Sequence, residues 1–271
     1  MSLLLDRLLS RLADEEKLLT AFSGGADSAL LAYAAHLVLG ERAVAVTAVS
    51  ASLPVSERRA AKAFTSARRM AHVEVCTDEL ANPDYVANNG NRCYHCKSAL
   101  FDALVPLATL MGARMALGTN LDDLGDHRPG QSAAANRGAI FPMVDAGLSK
   151  ADVRVLSREL GLSTADKPAA ACLSSRIAYG DQVTAQLLAR IEESEEALRA
   201  MGFHKLRVRS HADGTLARVE VDRCDLSAAF ARRDQILAVL RDAGFTFGSL
   251  DLGGLRSGGM NALLSLTPVL R

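Results

Sequence analysis

The sequence has no excess of charge of either sign, since 31 lysines and arginines balance 31 aspartates and glutamates. This balance argues against a broad electrostatic surface for nucleic acid. No apolar run is long enough to cross a bilayer. The leucine-rich start is interrupted by Asp6, Arg7 and Arg11, so no signal-peptide core forms. We therefore expect a cytoplasmic protein with neither a membrane nor a nucleic-acid partner.

Cysteine is also scarce, because five cysteines in 271 residues do not make a disulfide framework. By contrast, 49% of the residues are hydrophobic, which is enough to bury a core. The length predicts about two domains.

The stretch most indicative of chemistry is Ser23-Gly24-Gly25-Ala26-Asp27-Ser28. It lies between an apolar run at 17–22, which predicts a strand, and a predicted helix at 29–35. Glycines bring backbone N–H groups close to an anion, and a helix start adds partial positive charge. Ser23 and Ser28 add hydroxyl donors, and Asp27 is suited to hold the Mg²⁺ of a nucleotide. An ordinary strand–helix turn is the alternative interpretation.

This loop lacks the lysine of a Walker loop, Gly-x-x-x-x-Gly-Lys-Ser/Thr. Without that lysine to reach the β- and γ-phosphates, it suits a pyrophosphate leaving group better than γ-phosphoryl transfer.

Further strands are predicted at 43–49, 72–76 and 114–118, alternating with helices. Alternation of this kind predicts an α/β fold with a mostly parallel sheet and helices on both faces. Ligands bind beyond the carboxyl ends of such strands. The loop after Val49 and the stretch from Asn120 to Asp126 lie at such ends. Asp122, Asp123 and Asp126 are either turn residues or contacts for Mg²⁺ and nucleotide.

From residue 181 the pattern changes to α-β-β-α-β, so we predict a domain at 1–180 and a smaller α+β domain at 181–271. Its first helix runs over 184–201, and its strands are predicted at 205–210, 215–222 and 245–252. Lys205, Arg207 and Arg209 share one strand face. That face is either solvated or a cradle for phosphate, because arginine forks match phosphate oxygens.

Cys93 and Cys96 form a Cys-x-x-Cys, which is typical of half a zinc site, a redox pair or a coincidence at a helix start. Cys172 lies in the irregular segment 167–176. A nearby cation, Arg176 or Lys167, would favour its thiolate, and coordination to iron would deprotonate it outright. Three thiolates leave one iron of a [4Fe-4S] cluster without a protein ligand, free to carry an extra sulfide.

Taken together, these motifs resemble the LarE family of ATP-dependent sulfur transferases, within the PP-loop ATP pyrophosphatase superfamily. The resemblance covers nearly the whole chain. Its segments are 23–28, 92–97, 118–123, 128–130, 167–176 and the glycine-rich tail at 253–261.

The resemblance implies a reaction. ATP adenylates a carboxylate of a pyridinium dicarboxylate mononucleotide and releases pyrophosphate, and a sulfur nucleophile then displaces AMP to leave a thiocarboxylate. The product serves the nickel-pincer nucleotide cofactor of lactate racemase-type enzymes. A homo-oligomer and handover to other proteins of that biosynthesis are also implied.

The resemblance further implies roles for individual residues. Cys172 stands at the sulfur-donor position, with Asp27 and Arg176 also catalytic. The substrate phosphate would face Ser175, Arg176, Arg207 and Arg209. The ATP and pyrophosphate site would comprise Ser23, Gly24, Gly25, Asp27, Ser28, Gly118, Asn120 and Asp123. Because the chain carries all three family cysteines, we expect Cys93, Cys96 and Cys172 to hold a [4Fe-4S] cluster.

Four alternatives stay open at this point. Cys172 is instead a sacrificial sulfur donor, the chain is an ammonia-dependent PP-loop ligase, it thiolates transfer RNA, or it is a nucleotide sensor without turnover. No glutaminase-like segment supports the ligase, and the balanced charge disfavours transfer RNA.

Overall fold

The computed structural model describes residues 3–125, 136–168 and 171–256. Asp126, the segment 128–130 and the end of the glycine-rich tail, named above from the sequence, lie outside these residues. The chain forms two units, one from 1–79 and 93–170 and the other from 80–92 and 171–271. Each is described by itself, and the two domains proposed with a boundary after residue 180 stay a prediction.

The first unit alternates helices with strands, as the sequence predicts. Its helices are α1 (Leu3–Ala13), α2 (Ala26–Leu39), α3 (Val55–Ala67), α5 (Arg92–Met111), α6 (Pro142–Asp145) and α7 (Lys150–Glu159). Its strands are β1 (Leu18–Ala21), β2 (Ala43–Val49), β3 (Ala71–Cys76) and β4 (Arg114–Ala116).

These four strands form one sheet in the order β3-β2-β1-β4, and every pair is parallel. Adjacent residues of a strand face opposite sides of the sheet, and β1 is apolar on both. Leu18 packs into a core with Leu8 of α1 and Leu30 of α2. Leu19 packs into a second core with Phe101 of α5. Helices therefore cover both faces, and the α/β fold class is confirmed.

Two local details refine the sequence prediction. The Cys-x-x-Cys lies at a helix start, in the first turns of α5, which begins at Arg92. Helix α7 begins with a capping box, in which the Ser149 hydroxyl and the Asp152 carboxylate each bond the other residue's backbone N–H.

The second unit contains the short helix α4 (Pro83–Val86), the helices α8 (Ala185–Ala200), α9 (Leu226–Ala231) and α10 (Arg233–Asp242), and the strands β5 (Leu206–His211), β6 (Leu216–Val221) and β7 (Phe247–Leu250). Strands β5 and β6 are antiparallel, and β7 lies parallel to β6 at the edge. The β5–β6 turn needs left-handed residues, and Ala212, Asp213 and Gly214 all have positive φ. The observed order from α8 onward is α-β-β-α-α-β, with two helices where the sequence predicted one.

Among the described residues, no helix combines the length and the apolar character that a membrane span requires.

Candidate functional site

The loop from Ser23 to Ser28 connects β1 to α2 in the form that anion binding needs. Gly24 has φ +72°, a left-handed conformation that favours glycine. Gly25 is the N-cap of α2 and has no side chain to cap the helix. Within the described part of the chain, no acceptor binds the backbone N–H groups of Gly24, Gly25, Ala26 or Asp27. These N–H groups, together with the helix dipole, are open to a negatively charged ligand.

The two serines of the loop hold its ends together. The Ser28 hydroxyl accepts from the Ser23 N–H at 3.2 Å, donates to the Gly25 carbonyl at 3.2 Å, and lies 3.1 Å from the Ser23 hydroxyl. Ser28 is buried while Ser23 is exposed. The hydroxyl of Ser23 is thus the one of the two that faces solvent and an incoming ligand.

The segment after β4 closes on this loop. A Cβ added to Gly118 would lie 2.8 Å from the Ser28 nitrogen and 2.9 Å from the Asp27 carbonyl carbon, which leaves no room for a side chain. The Asn120 amide donates to the Asp27 carboxylate at 2.9 Å. Asn120 is fully buried, so this bond fixes where the Asp27 carboxylate points.

The acidic residues beside Asn120 have bonds of their own. Asp123 and Asn120 each accept from the other's backbone N–H, at 3.2 and 3.3 Å. Asp122 accepts from the Lys150 N–H at the start of α7. Both carboxylates thus serve the local turn, and contact of Asp123 with a nucleotide stays a prediction.

The position of these two segments follows from the strand order. Because β1 and β4 are neighbours in the order β3-β2-β1-β4, their connections leave in opposite directions and open a crevice at the carboxyl ends of the strands. The bond between Asn120 and Asp27 shows that both segments meet there. The loop after Val49, named with them from the sequence, follows β2, which neighbours β1 on the side away from β4.

A third residue reaches the loop from a distant part of the sequence. The Lys167 ammonium donates to the Gly24 carbonyl at 2.9 Å and to the Glu57 carboxylate at 2.5 Å. Glu57 lies in the first turn of α3. The sequence offers Arg176 or Lys167 as the cation near Cys172, and the structure places the Lys167 ammonium on the loop.

In the second unit, Arg176 organises the segment that carries Cys172. Its guanidinium donates to the carbonyls of Ala171 and Cys172 and to the Ser175 hydroxyl. The buried carboxylate of Glu195 accepts from Arg176 at 3.0 and 3.4 Å. Arg176 thus binds the backbone around Cys172, and its expected effect on the thiol stays a prediction.

The strand face with Arg207 and Arg209 fits neither interpretation as a whole. Lys205 is exposed and pairs with Asp222, as on a solvated face. Arg209 is buried, bonds Glu220 at 3.1 Å, and donates to the Ser175 carbonyl at 2.9 Å. Because Arg209 is bonded to both Glu220 and the Ser175 carbonyl, its guanidinium has little freedom to move.

Arg207 differs from both neighbours because it has no hydrogen bond or ion pair with the residues that the structure describes. It is half-buried. Burial lowers the pKa of its guanidinium, and repulsion from Arg176 and Arg209 lowers it further. A bound anion would relieve both effects, so this part of the second unit is suited to phosphate.

A buried polar network that sequence reasoning missed supports the same segment. The Tyr85 hydroxyl lies 2.6 Å from that of Ser174. Arg92 donates to the Ser174 carbonyl at 2.8 Å. Asn88, which has φ +54°, donates to the carbonyls of Ala178 and Asp181. Residues 80–92 therefore support residues 172–183.

None of the five cysteines forms a disulfide. Cys93 is exposed, Cys96 and Cys172 are half-buried, and the Cys96 thiol lies 3.6 Å from the buried carboxylate of Glu79. Within residues 3–125, 136–168 and 171–256, no cluster of three or more His, Cys, Asp or Glu side chains is arranged to hold a metal ion. The predicted iron–sulfur cluster therefore stays a prediction.

These features define the class of protein: an α/β fold with a loop of open backbone N–H groups at the switch point of its parallel sheet. No family model matches the chain. It is 34% identical over 261 residues to the pyridinium-3,5-bisthiocarboxylic acid mononucleotide synthase of Lactiplantibacillus plantarum, with 95% of this chain and 94% of that protein covered. The chain belongs to the family of that synthase, the LarE family.

Two further relatives have no assigned function. An uncharacterised protein of Synechocystis is 42% identical over 264 residues, which cover 96% of this chain and 98% of that protein. An uncharacterised protein of Methanocaldococcus jannaschii is 28% identical over 231 residues, with 85% and 87% covered.

Proposed function

We propose that this protein is an ATP-dependent sulfur transferase that converts the carboxylates of a pyridinium dicarboxylate mononucleotide to thiocarboxylates. The observation that carries the proposal is the open row of N–H groups from Gly24 to Asp27, with the Asp27 carboxylate fixed by Asn120. The relative named as a synthase of a bisthiocarboxylic acid mononucleotide supports the substrate class.

The first step is adenylation. A substrate carboxylate oxygen attacks the α-phosphorus of ATP, the bond to the β-phosphate oxygen breaks, and pyrophosphate leaves with the electron pair. The N–H groups at the start of α2 stabilise the charge that develops on pyrophosphate. Asp27 is the residue that would hold Mg²⁺ there, since carboxylate oxygen is a preferred Mg²⁺ ligand, and the ion would supply positive charge to the phosphates.

The second step is sulfur transfer. A sulfur nucleophile adds to the acyl carbon of the adenylate, the C–O bond to AMP breaks, and a thiocarboxylate remains. Arg176, Arg207, Arg209 and the Ser175 hydroxyl hold the substrate phosphate. Arg207 supports this assignment. Of the three arginines, it is the one whose positive charge no carboxylate among the described residues pairs with.

Cys93, Cys96 and Cys172 supply thiolate, the donor type that a [4Fe-4S] cluster requires, and none of the three is fully buried, so they are the residues that would hold such a cluster. When bound, such a cluster would supply sulfide to the acyl carbon. A sacrificial Cys172, which would lose its own sulfur, is the competing source.

The test is anaerobic turnover of reconstituted protein with ATP, Mg²⁺ and the mononucleotide. Pyrophosphate, AMP and thiocarboxylate are measured in one tube with the intact protein mass. We expect all three products, an unchanged mass, and iron that is lost in Cys93→Ala. Loss of one H₂S from Cys172 would refute the cluster, and ATP cleavage without thiocarboxylate would refute sulfur transfer. Asp27→Asn is the control that should abolish pyrophosphate release.

The phosphate site has its own test. Wild type should prefer the mononucleotide over the riboside, which lacks the phosphate. Arg207→Met should remove most of that preference by raising the KM for the mononucleotide. Lys205→Met is the matched control. It removes the same charge two positions before Arg207, at a lysine that is exposed and paired with Asp222. Equal preference in Arg207→Met and wild type would place the phosphate elsewhere.

A further inference from the structure

Lys167 contacts the anion-binding loop from its rear. A trans peptide directs its C=O and N–H in opposite directions. Since the Lys167 ammonium lies 2.9 Å from the Gly24 carbonyl oxygen, the N–H of Gly25 in the same peptide points away from Lys167. A ligand on the Gly25 N–H therefore lies on the other side of the peptide from the ammonium.

From this geometry we propose that Lys167 is a positioning residue for pyrophosphate: it fixes the Gly24–Gly25 peptide with its N–H directed at the phosphate. The inference rests on the proposed function, because it needs pyrophosphate to bind at this loop. It assigns to Lys167 a role different from that of a Walker lysine, which contacts phosphate directly.

The peptide needs such a fixing group. With glycine on both sides of it, rotation is restricted less than at any other residue pair, and Gly24 is in the left-handed region at φ +72°. The Gly25 N–H has no acceptor among the described residues that would hold it. The carbonyl bond to Lys167 is the contact that defines which way this peptide faces.

Charge gives a second effect. An ammonium bound to a carbonyl polarises the peptide, so its N–H becomes a stronger donor, as in any chain of hydrogen bonds. Lys167 is itself kept in place by Glu57, whose carboxylate is favoured by the N–H groups at the start of α3. The lysine side chain is only 21% exposed, so solvent screens this effect weakly.

The experiment measures binding of inorganic pyrophosphate and of adenosine by calorimetry, and the ¹⁵N–¹H resonance of Gly25 without ligand. Lys167→Met should weaken pyrophosphate binding about 10- to 100-fold, leave adenosine binding unchanged, and shift the Gly25 resonance in the free protein. Lys167→Arg, which keeps a donor for the Gly24 carbonyl, should restore pyrophosphate affinity to within about threefold.

Lys62→Met is the matched control, because it also removes one lysine charge, here from α3, where Lys62 pairs with Glu74. It should change none of these quantities. Unchanged pyrophosphate binding or an unshifted Gly25 resonance in Lys167→Met would refute the inference while the proposed function stands. A shift without recovery in Lys167→Arg would also overturn it. If wild type binds neither ATP nor pyrophosphate, both fail.

Discussion

Replacing Gly118 by alanine tests the contact between the end of β4 and the start of α2. The new Cβ would lie 2.8 to 3.0 Å from the Ser28 nitrogen, the Asp27 carbonyl carbon and the Ser28 Cα. Ordinary contacts of a Cβ begin at 3.4 Å. The two segments must therefore separate by roughly half an ångström, since the atoms in the way are backbone and have no rotamer to change.

The magnitude has two parts. Overpacking of this kind costs about 1–3 kcal/mol of unfolding free energy. Moving Asp27 away from Asn120 also misplaces the carboxylate, and a displacement of this order near a reacting group lowers the rate by up to about 100-fold. Gly118→Ala should therefore lose up to about 100-fold in ATP turnover together with about 1–3 kcal/mol of unfolding free energy.

The assay combines chemical denaturation with pyrophosphate release. Gly112→Ala is the control, because Gly112 has φ +60° and nothing within 4 Å of an added Cβ. It should cost about 1 kcal/mol of backbone strain and leave pyrophosphate release unchanged. Wild-type stability and turnover in Gly118→Ala would refute the close approach.

Three other predictions follow. Asn120→Ala should lower pyrophosphate release at least tenfold with a smaller loss of affinity for ATP, because it frees the Asp27 carboxylate; equal losses in both would show a disrupted loop instead. Glu195→Gln should lower the unfolding free energy by about 3–5 kcal/mol, read from the denaturation midpoint, since the buried carboxylate accepts from Arg176, Arg199 and Val208; a wild-type midpoint would contradict this. Arg58 and Lys62 lower the pKa of Glu74 to about 2 from 4.5. The ion pairs of Glu74 with Arg58 and Lys62 therefore stabilise the fold above about pH 4.5. This contribution is lost as the pH falls toward 2. The loss should be about 1 kcal/mol or less and missing in Glu74→Gln, and an equal loss in that variant would exclude Glu74.

The parallel sheet was predictable because its signal is local. Leu18 and Leu19 face opposite cores, so a strand buried on both sides reads as a continuous apolar run. The loop from Ser23 to Ser28 was predictable for a similar reason, since glycine and hydroxyl groups within six residues define it.

What the sequence could not predict depends on partners far along the chain. Lys167 binds Gly24 across 143 residues, and no pattern near Lys167 indicates it. The alternation of Lys205, Arg207 and Arg209 is found on solvated and on buried strand faces, so it could not predict which of these side chains are buried. The burial of Arg209 follows from Glu220 and from the Ser175 segment, which packs there. The support of Ser174 by Tyr85 and Arg92 likewise depends on contacts across 89 and 82 residues.

The excursion of residues 80–92 into the second unit has a consequence for dissection of the protein. The chain passes between the units after residues 79, 92 and 170, so no single cut separates them. A fragment that ends at 170 keeps the Tyr85 hydroxyl, the Asn88 amide and the Arg92 guanidinium but lacks Ser174, Ala178 and Asp181, to which they bond. Neither half is a transplantable module, and a fusion or domain exchange has to carry both together.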